Sequence, residues 1–324
     1  MLASHFGPVC VDIAGTSLTE DEKVRLAHPL TGMVILFTRN YENRAQLKAL
    51  CARIHAVRPG IVIAVDHEGG RVQRFRSRFT RVPAMGSLRG KDVSERFYAA
   101  GLILAYELRR CGVDFTFAPV LDLDYGHSQV IGNRSLGATP EEVVQNARSL
   151  IRGLRAGGMA ACGKHYPGHG WASADSHHAL PIDRRDMDTL LRDARMYQEL
   201  GDRLTSVMTA HVLYPQVDSF VSTFSSIWLK EILRVKLGFT GLIFSDDLTM
   251  KGAGQRSITT RARKALSAGC DVVLVCNAPA LADRLLATLI WKRPEGFDAK
   301  MQRLQPTEMV SEAMYQKARR DLLQ

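Results

Sequence analysis

Residues 227–247 read IWLKEILRVKLGFTGLIFSDD. Ile227 to Leu237 is patterned as a helix, Gly238 stops it, and the apolar strand text Leu242-Ile243-Phe244 runs into Ser245-Asp246-Asp247. A helix that ends on glycine and feeds a short apolar strand is half of a βαβ unit. The same alternation recurs along the chain. Strand text occurs at PVCVDIA (8–14), GMVILFT (32–38), IVIAVD (61–66), FTFAPVLD (115–122), MAACGKH (159–165), SVMTAH (206–211), LIFSDD (242–247) and DVVLVCN (271–277). Each run is followed by helical text, and continuous apolar strands suit a sheet covered on both faces. The pattern predicts an α/β fold, a single-domain (β/α)8 TIM barrel over residues 1–324. Residues 306–324 are expected as a terminal helix packed on the outside.

Helix punctuation agrees. Thr139-Pro140-Glu141-Glu142 supplies a cap, a first-turn proline and a capping-box glutamate. Val143, Val144, Ala147, Leu150, Ile151 and Leu154 then trace one face before Gly157-Gly158. Thr19 with Glu22 repeats the capping box. No GxGxxG follows the first strand and no P-loop lysine pattern occurs, so dinucleotide and nucleoside triphosphate folds are excluded.

The strand ends carry the polar chemistry. The third run ends in Asp66-His67-Glu68-Gly69-Gly70, and the fourth leads into Asp122 and Asp124. The fifth ends in Lys164-His165, the sixth in His211, the seventh in Asp246-Asp247 and the eighth in Asn277. In such barrels the C-terminal strand ends hold the active site. The connections after the third, fourth and fifth strands are the longest, as site-building loops are.

Composition bounds the partners. The chain has 324 residues, 46% hydrophobic and 23% charged, with a formal net charge of +10. No apolar run reaches the ~18–20 residues of a membrane span. The N-terminus shows neither a basic region nor a long apolar stretch, so the protein is expected in the cytoplasm. The basic residues are scattered without an aromatic-rich basic strand, which argues against nucleic acid. Arg71, Arg74, Arg76, Arg78 and Arg81 cluster after one strand end, as a solvated surface or as a funnel for an anionic substrate. The six cysteines form no CxxC pair and read as buried thiols.

Asp246 and Asp247 are adjacent, so strand alternation lets only one face the barrel mouth. Asp246 suits a carboxylate nucleophile and Asp247 a cap for the following helix. In Asp175-Ser176-His177, the carboxylate could orient the imidazole as a general acid/base, or the tripeptide could be plain surface loop. Lys164 fits either a Schiff-base lysine or a hydroxyl binder. Asp66 could grip hydroxyls with two oxygens, and Arg74 and Arg134 could donate to ligand oxygens. His165, His169 and His177 also invite a metal reading, although Pro167-Gly168 breaks the helix that an HxxxH pair needs.

VDHEGGRVQRF, APVLD, IGNRS, GKHYPGHG with DSHHALP, and GLIFSDDLTM, in that order from residue 65 to 250, resemble the β-N-acetylhexosaminidases of glycoside hydrolase family 3. The resemblance implies a retaining exo-hydrolase of terminal β-linked N-acetylglucosamine, acting in bacteria on cytosolic 1,6-anhydro-muropeptides of cell-wall recycling. By the family motifs, Asp246 is the nucleophile, His177 the acid/base and Asp175 its partner. Sugar binding falls to Asp66, Arg74, Arg134, Lys164 and His165. No metal or organic cofactor is implied, and the partner is a small carbohydrate, with the chain expected as a monomer. His67, Asn133 and Tyr166 depart from the usual glutamine, glutamate and phenylalanine. Pro167, Gly168 and Gly170 look like a hinge that lets Asp175 to His177 reach the sugar. Two rivals stand beside this reading: a metal-dependent barrel hydrolase, and a non-catalytic amino-sugar binder.

Overall fold

Eight short parallel strands carry the chain around a closed path. The computed structural model describes residues 6–90, 92–172 and 180–323. The strands are β1 (Val9–Asp12), β2 (Thr31–Leu36), β3 (Val62–Val65), β4 (Phe115–Thr116), β5 (Cys162–Tyr166), β6 (Ser206–Thr209), β7 (Leu242–Asp247) and β8 (Val272–Leu274). Their order in the sheet is β4-β3-β2-β1-β8-β7-β6-β5. The fourth run is the least regular, because Pro119 has no N–H to give to a ladder. It nonetheless closes the barrel. Cys162 N donates to Ala118 O at 2.8 Å, Lys164 N to Pro119 O at 3.1 Å, and Leu121 N to Lys164 O at 2.6 Å. The (β/α)8 TIM barrel expected from the alternation is the fold observed.

Helices α1 (Glu20–Ala27), α2 (Arg44–Val57), α3 (Val93–Arg109), α4 (Pro140–Ala156), α5 (Met187–Leu200), α6 (Ile227–Lys236, wound as a π-helix), α7 (Ile258–Ala268) and α8 (Pro279–Thr288) follow the strands in turn. Thr19 and Glu22 form the reciprocal capping box. At α4, Thr139 caps the Glu142 N–H, whereas the Glu142 carboxylate turns to the Ala138 N–H at 2.8 Å. Helices α3 and α4 touch through glycines. A Cβ on Gly101 would lie 2.1 Å from Leu150 O, and one on Gly153 would lie 2.1 Å from Tyr98 O.

Two apolar clusters result. One fills the barrel with Cys10, Met33, Ile35, Val62, Ala64, Phe115, Phe117, Met208 and Phe244. Phe297 and Met301 of α9 (Phe297–Gln302) join it with Phe6 and Leu304. The other lies between barrel and helices. All six cysteines are buried and unpaired, and burial pushes the Cys162 thiol up to about 12.

The stretch 306–324 is helical only from Glu312. Residues 307 and 310 precede the helix and donate to Gly158 O at 3.1 Å and Ala156 O at 2.9 Å. Helix α10 (Glu312–Leu323) then stacks Tyr315 on Tyr106 of α3, with ring centroids 4.5 Å apart. No helix among the described residues is long and apolar enough to cross a membrane.

Candidate active site

Strand β3 delivers Asp66 to the barrel mouth, and a small antiparallel ribbon (His67–Gly69 with Val72–Gln73) carries the chain on to Arg74. Gly69 and Gly70 take φ of 95° and 56°, values that L side chains rarely adopt, so this turn needs its glycines. The ribbon sets Glu68 beside Asp66. Lys164, from the end of β5, bridges the two carboxylates at 2.7 Å to each. Arg134 holds Glu68 in a two-pronged contact at 2.8 and 2.9 Å, and Arg74 lies 3.7 Å from Asp66.

Burial alone would raise the Glu68 and Asp66 carboxyls, but the neighbouring cations outweigh it. Arg134 and Lys164 hold Glu68 well below the usual range, and Lys164 and Arg74 lower Asp66. Burial works against the Lys164 ammonium, yet Asp66 and Glu68 raise its pKa. Lys164 is therefore kept as a cation. That suits an oxygen binder and opposes the Schiff-base reading, which needs a free amine.

His165 is held from behind. Asp122, fully buried, takes His165 Nδ1 at 2.7 Å, the His165 backbone N–H at 3.2 Å and the His169 backbone N–H at 2.6 Å. Among the described residues the buried His169 ring nitrogens have no partner, and burial lowers its pKa, which favours the neutral ring. Two of the residues expected as a hinge, Gly168 and Gly170, contact neighbouring chain segments. Gly168 O accepts from Tyr214 at 2.5 Å, and a Cβ on Gly170 would lie 2.0 Å from Leu123 O.

Asp246 and Asp247 end β7, and alternation fails there. Val272 and Leu274, two apart on β8, pair with Phe244 and Asp247, three apart on β7. The extra residue is a bulge, which re-aims side chains at a barrel rim. Both carboxylates consequently border the mouth, where strict alternation allowed one. Strand β5 uses the same device: Lys164 and Tyr166 pair with the adjacent Met208 and Thr209, and Lys164 and His165 both reach the cavity. Asp246 is half-buried and its Oδ1 accepts the Asp247 N–H at 2.8 Å. Asp247 does not cap the next helix, whose cap is Ser257. Its carboxylate takes Thr249 N at 2.9 Å, Thr249 Oγ1 at 2.7 Å and Cys276 N at 3.1 Å. Burial, aided by Asp246, nevertheless pushes Asp247 up to about 6.

Asp66, Arg74, Arg134, Lys164, His165 and Asp246 together border one cavity of about 720 Å³. Asp175 and His177 lie outside the described residues. Of the arginine cluster, Arg71 and Arg74 border the cavity, whereas Arg76 turns back onto Gln73 O and Arg71 O. His67, Asn133 and Tyr166 are not among its walls. His67 packs neutral against Phe75 and Phe79, its pKa pushed down to about 3 by burial and then by Arg74. Tyr166 donates to Trp228 O at 3.0 Å. Among the described residues no three His, Cys, Asp or Glu side chains gather as a metal site.

Glu68 and Asp122 received no role from the sequence. Both stand in the quoted strand-end text, but their burial and their cationic partners exist only in the folded barrel.

Fold and mouth define a (β/α)8-barrel enzyme with its ionisable groups at the strand C-termini. The glycosyl hydrolase family 3 N-terminal domain matches residues 9–305. The β-hexosaminidase of Bordetella avium is 54% identical over 332 aligned positions, covering 97% of this chain and 94% of that protein. That of Methylobacillus flagellatus is 49% identical, covering 94% and 91%. The crystal structure of NagZ from Neisseria gonorrhoeae in complex with N-trifluoroacetyl-D-glucosamine matches with a TM-score of 0.92 at 46% identity, over 98% of this chain and 97% of that one. The chain belongs to glycosyl hydrolase family 3, and is a glycoside hydrolase of β-hexosaminidase type.

Proposed function

We propose that the protein is a retaining exo-β-N-acetylglucosaminidase that removes non-reducing terminal N-acetylglucosamine from 1,6-anhydro-muropeptides of cytoplasmic cell-wall recycling. The observation that carries this reading is Asp246 on the same cavity wall as Asp66, Arg74, Arg134, Lys164 and His165. The N-acylated glucosamine bound by the Neisseria protein supports the choice of sugar.

In this reading Lys164, Arg74 and Arg134 donate to sugar hydroxyls, and Asp66 accepts from them. His165, oriented by Asp122, adds a fixed imidazole. Asp246 attacks the anomeric carbon while protonated His177, partnered by Asp175, gives its proton to the leaving oxygen. The C–O bond to the leaving group breaks as the bond to the Asp246 carboxylate forms. Water then cleaves this glycosyl ester with His177 as base, and the configuration is retained. Retaining enzymes hold the two groups about 5–5.5 Å apart.

The test is hydrolysis of a chromogenic β-N-acetylglucosaminide beside the glucoside and the galactosaminide, with the anomer of the first product followed by NMR. Release of the β-anomer, with Asp246→Ala inactive and partly rescued by azide, is expected. Initial release of the α-anomer, or near-normal turnover by Asp246→Ala, overturns the mechanism. Tight binding of N-acetylglucosamine without turnover would favour a sugar binder, and loss of turnover to a chelator a metal-dependent hydrolase.

A further inference from the structure

Outside the barrel, α2, α3, α10 and residues 78–80 enclose a second cavity of about 320 Å³. It shares no wall residue with the barrel mouth. Four arginines border it, Arg44, Arg78, Arg110 and Arg319, against two carboxylates, Glu107 and Glu312.

Both carboxylates are already occupied. Glu107, buried, takes Thr80 N at 2.8 Å, Thr80 Oγ1 at 2.9 Å, Tyr315 OH at 2.6 Å and Arg44 at 3.0 Å. Glu312 takes Tyr106 OH at 2.8 Å, Gln316 at 2.7 Å and Arg110 at 3.3 Å. The donors are in excess, because each guanidinium carries five N–H groups and no acceptor. Arg44 Nε is buried without a partner among the described residues. Arg78 and Arg319 have no hydrogen-bond acceptor among the described residues.

Exposed arginines are ordinarily a solvated surface. Here two of them are braced on buried rings: Arg44 lies 4.7 Å from the centroid of Phe79, and Arg110 lies 6.0 Å from that of Tyr106. Cation–π attraction to a ring face helps hold a guanidinium in place, and its N–H groups suit oxyanion acceptors. We propose that this cavity is a binding site for a small phosphate or diphosphate group. Its oxygens would accept from Arg44, Arg78, Arg110 and Arg319, and two negative charges would match the formal surplus of four arginines over two carboxylates.

The test is isothermal titration of the full chain with inorganic phosphate and with pyrophosphate at constant ionic strength. The comparison is the double variant Arg78→Gln/Arg319→Gln, which removes no hydrogen bond found among the described residues. Saturable binding of at least one of the two anions is expected, weakened about tenfold or more in the double variant. Thermal unfolding without anion should match the wild type, which shows that the variant folds. Absence of saturable heat with both anions, or equal affinity in the variant, overturns the proposal.

Discussion

Lys164 Nζ lies 2.7 Å from Glu68 Oε1, and the two side chains are only 3% and 5% exposed. A buried charge is costly unless it is paired. Glu68 thus anchors the two cations, Lys164 and Arg134, that face the candidate sugar site.

Glu68→Gln should break this network. Removing one partner of a buried pair costs about 3–5 kcal/mol. Loss of about 3 kcal/mol in urea unfolding is expected, with kcat/KM on the chromogenic substrate down about 10–100-fold from misplaced donors. The folded-state carboxyl is held below its unfolded value of about 4.3. Its stabilisation is therefore fully present above about pH 4.3 and is lost only as pH falls further, through the folded-state pKa. A variant as stable as the wild type at neutral pH contradicts this account.

Asp247 has the opposite sign. Its folded-state pKa is about 6, whereas an unfolded aspartate titrates near 3.9. Between these values the folded state keeps a proton that the unfolded state has released, so stability falls as pH rises from about 4 to about 6. Asp247→Asn cannot ionise and should flatten that part of the profile. Urea unfolding at about pH 4.5 and about pH 6.5 measures it. An unchanged slope would place the titration elsewhere.

Gly153→Ala should destabilise the fold even though alanine favours a free helix by about 1 kcal/mol. The added Cβ would sit 2.1 Å from Tyr98 O, so α3 and α4 must separate. Overpacking of this kind costs about 1–3 kcal/mol. Denaturant midpoints would show the loss, with kcat unchanged because neither Gly153 nor Tyr98 borders the mouth. A gain in stability would mean that the helices are not in contact there.

Sequence alone determined the eight strands, their order of appearance and the gathering of acids, bases and imidazoles at one end. Those features are local: apolar runs, glycine stops and polar strand ends are written in neighbouring residues. What tertiary structure decided is which side chains meet. Lys164 and Asp66 stand 98 positions apart, and no spacing rule pairs them. The bulge in β7 turned alternation into a wrong guide for Asp246-Asp247, because register depends on the neighbouring strand. The roles of Glu68 and Asp122 arose for the same reason. A buried acid takes its meaning from the cations and N–H groups that closure of the barrel brings to it.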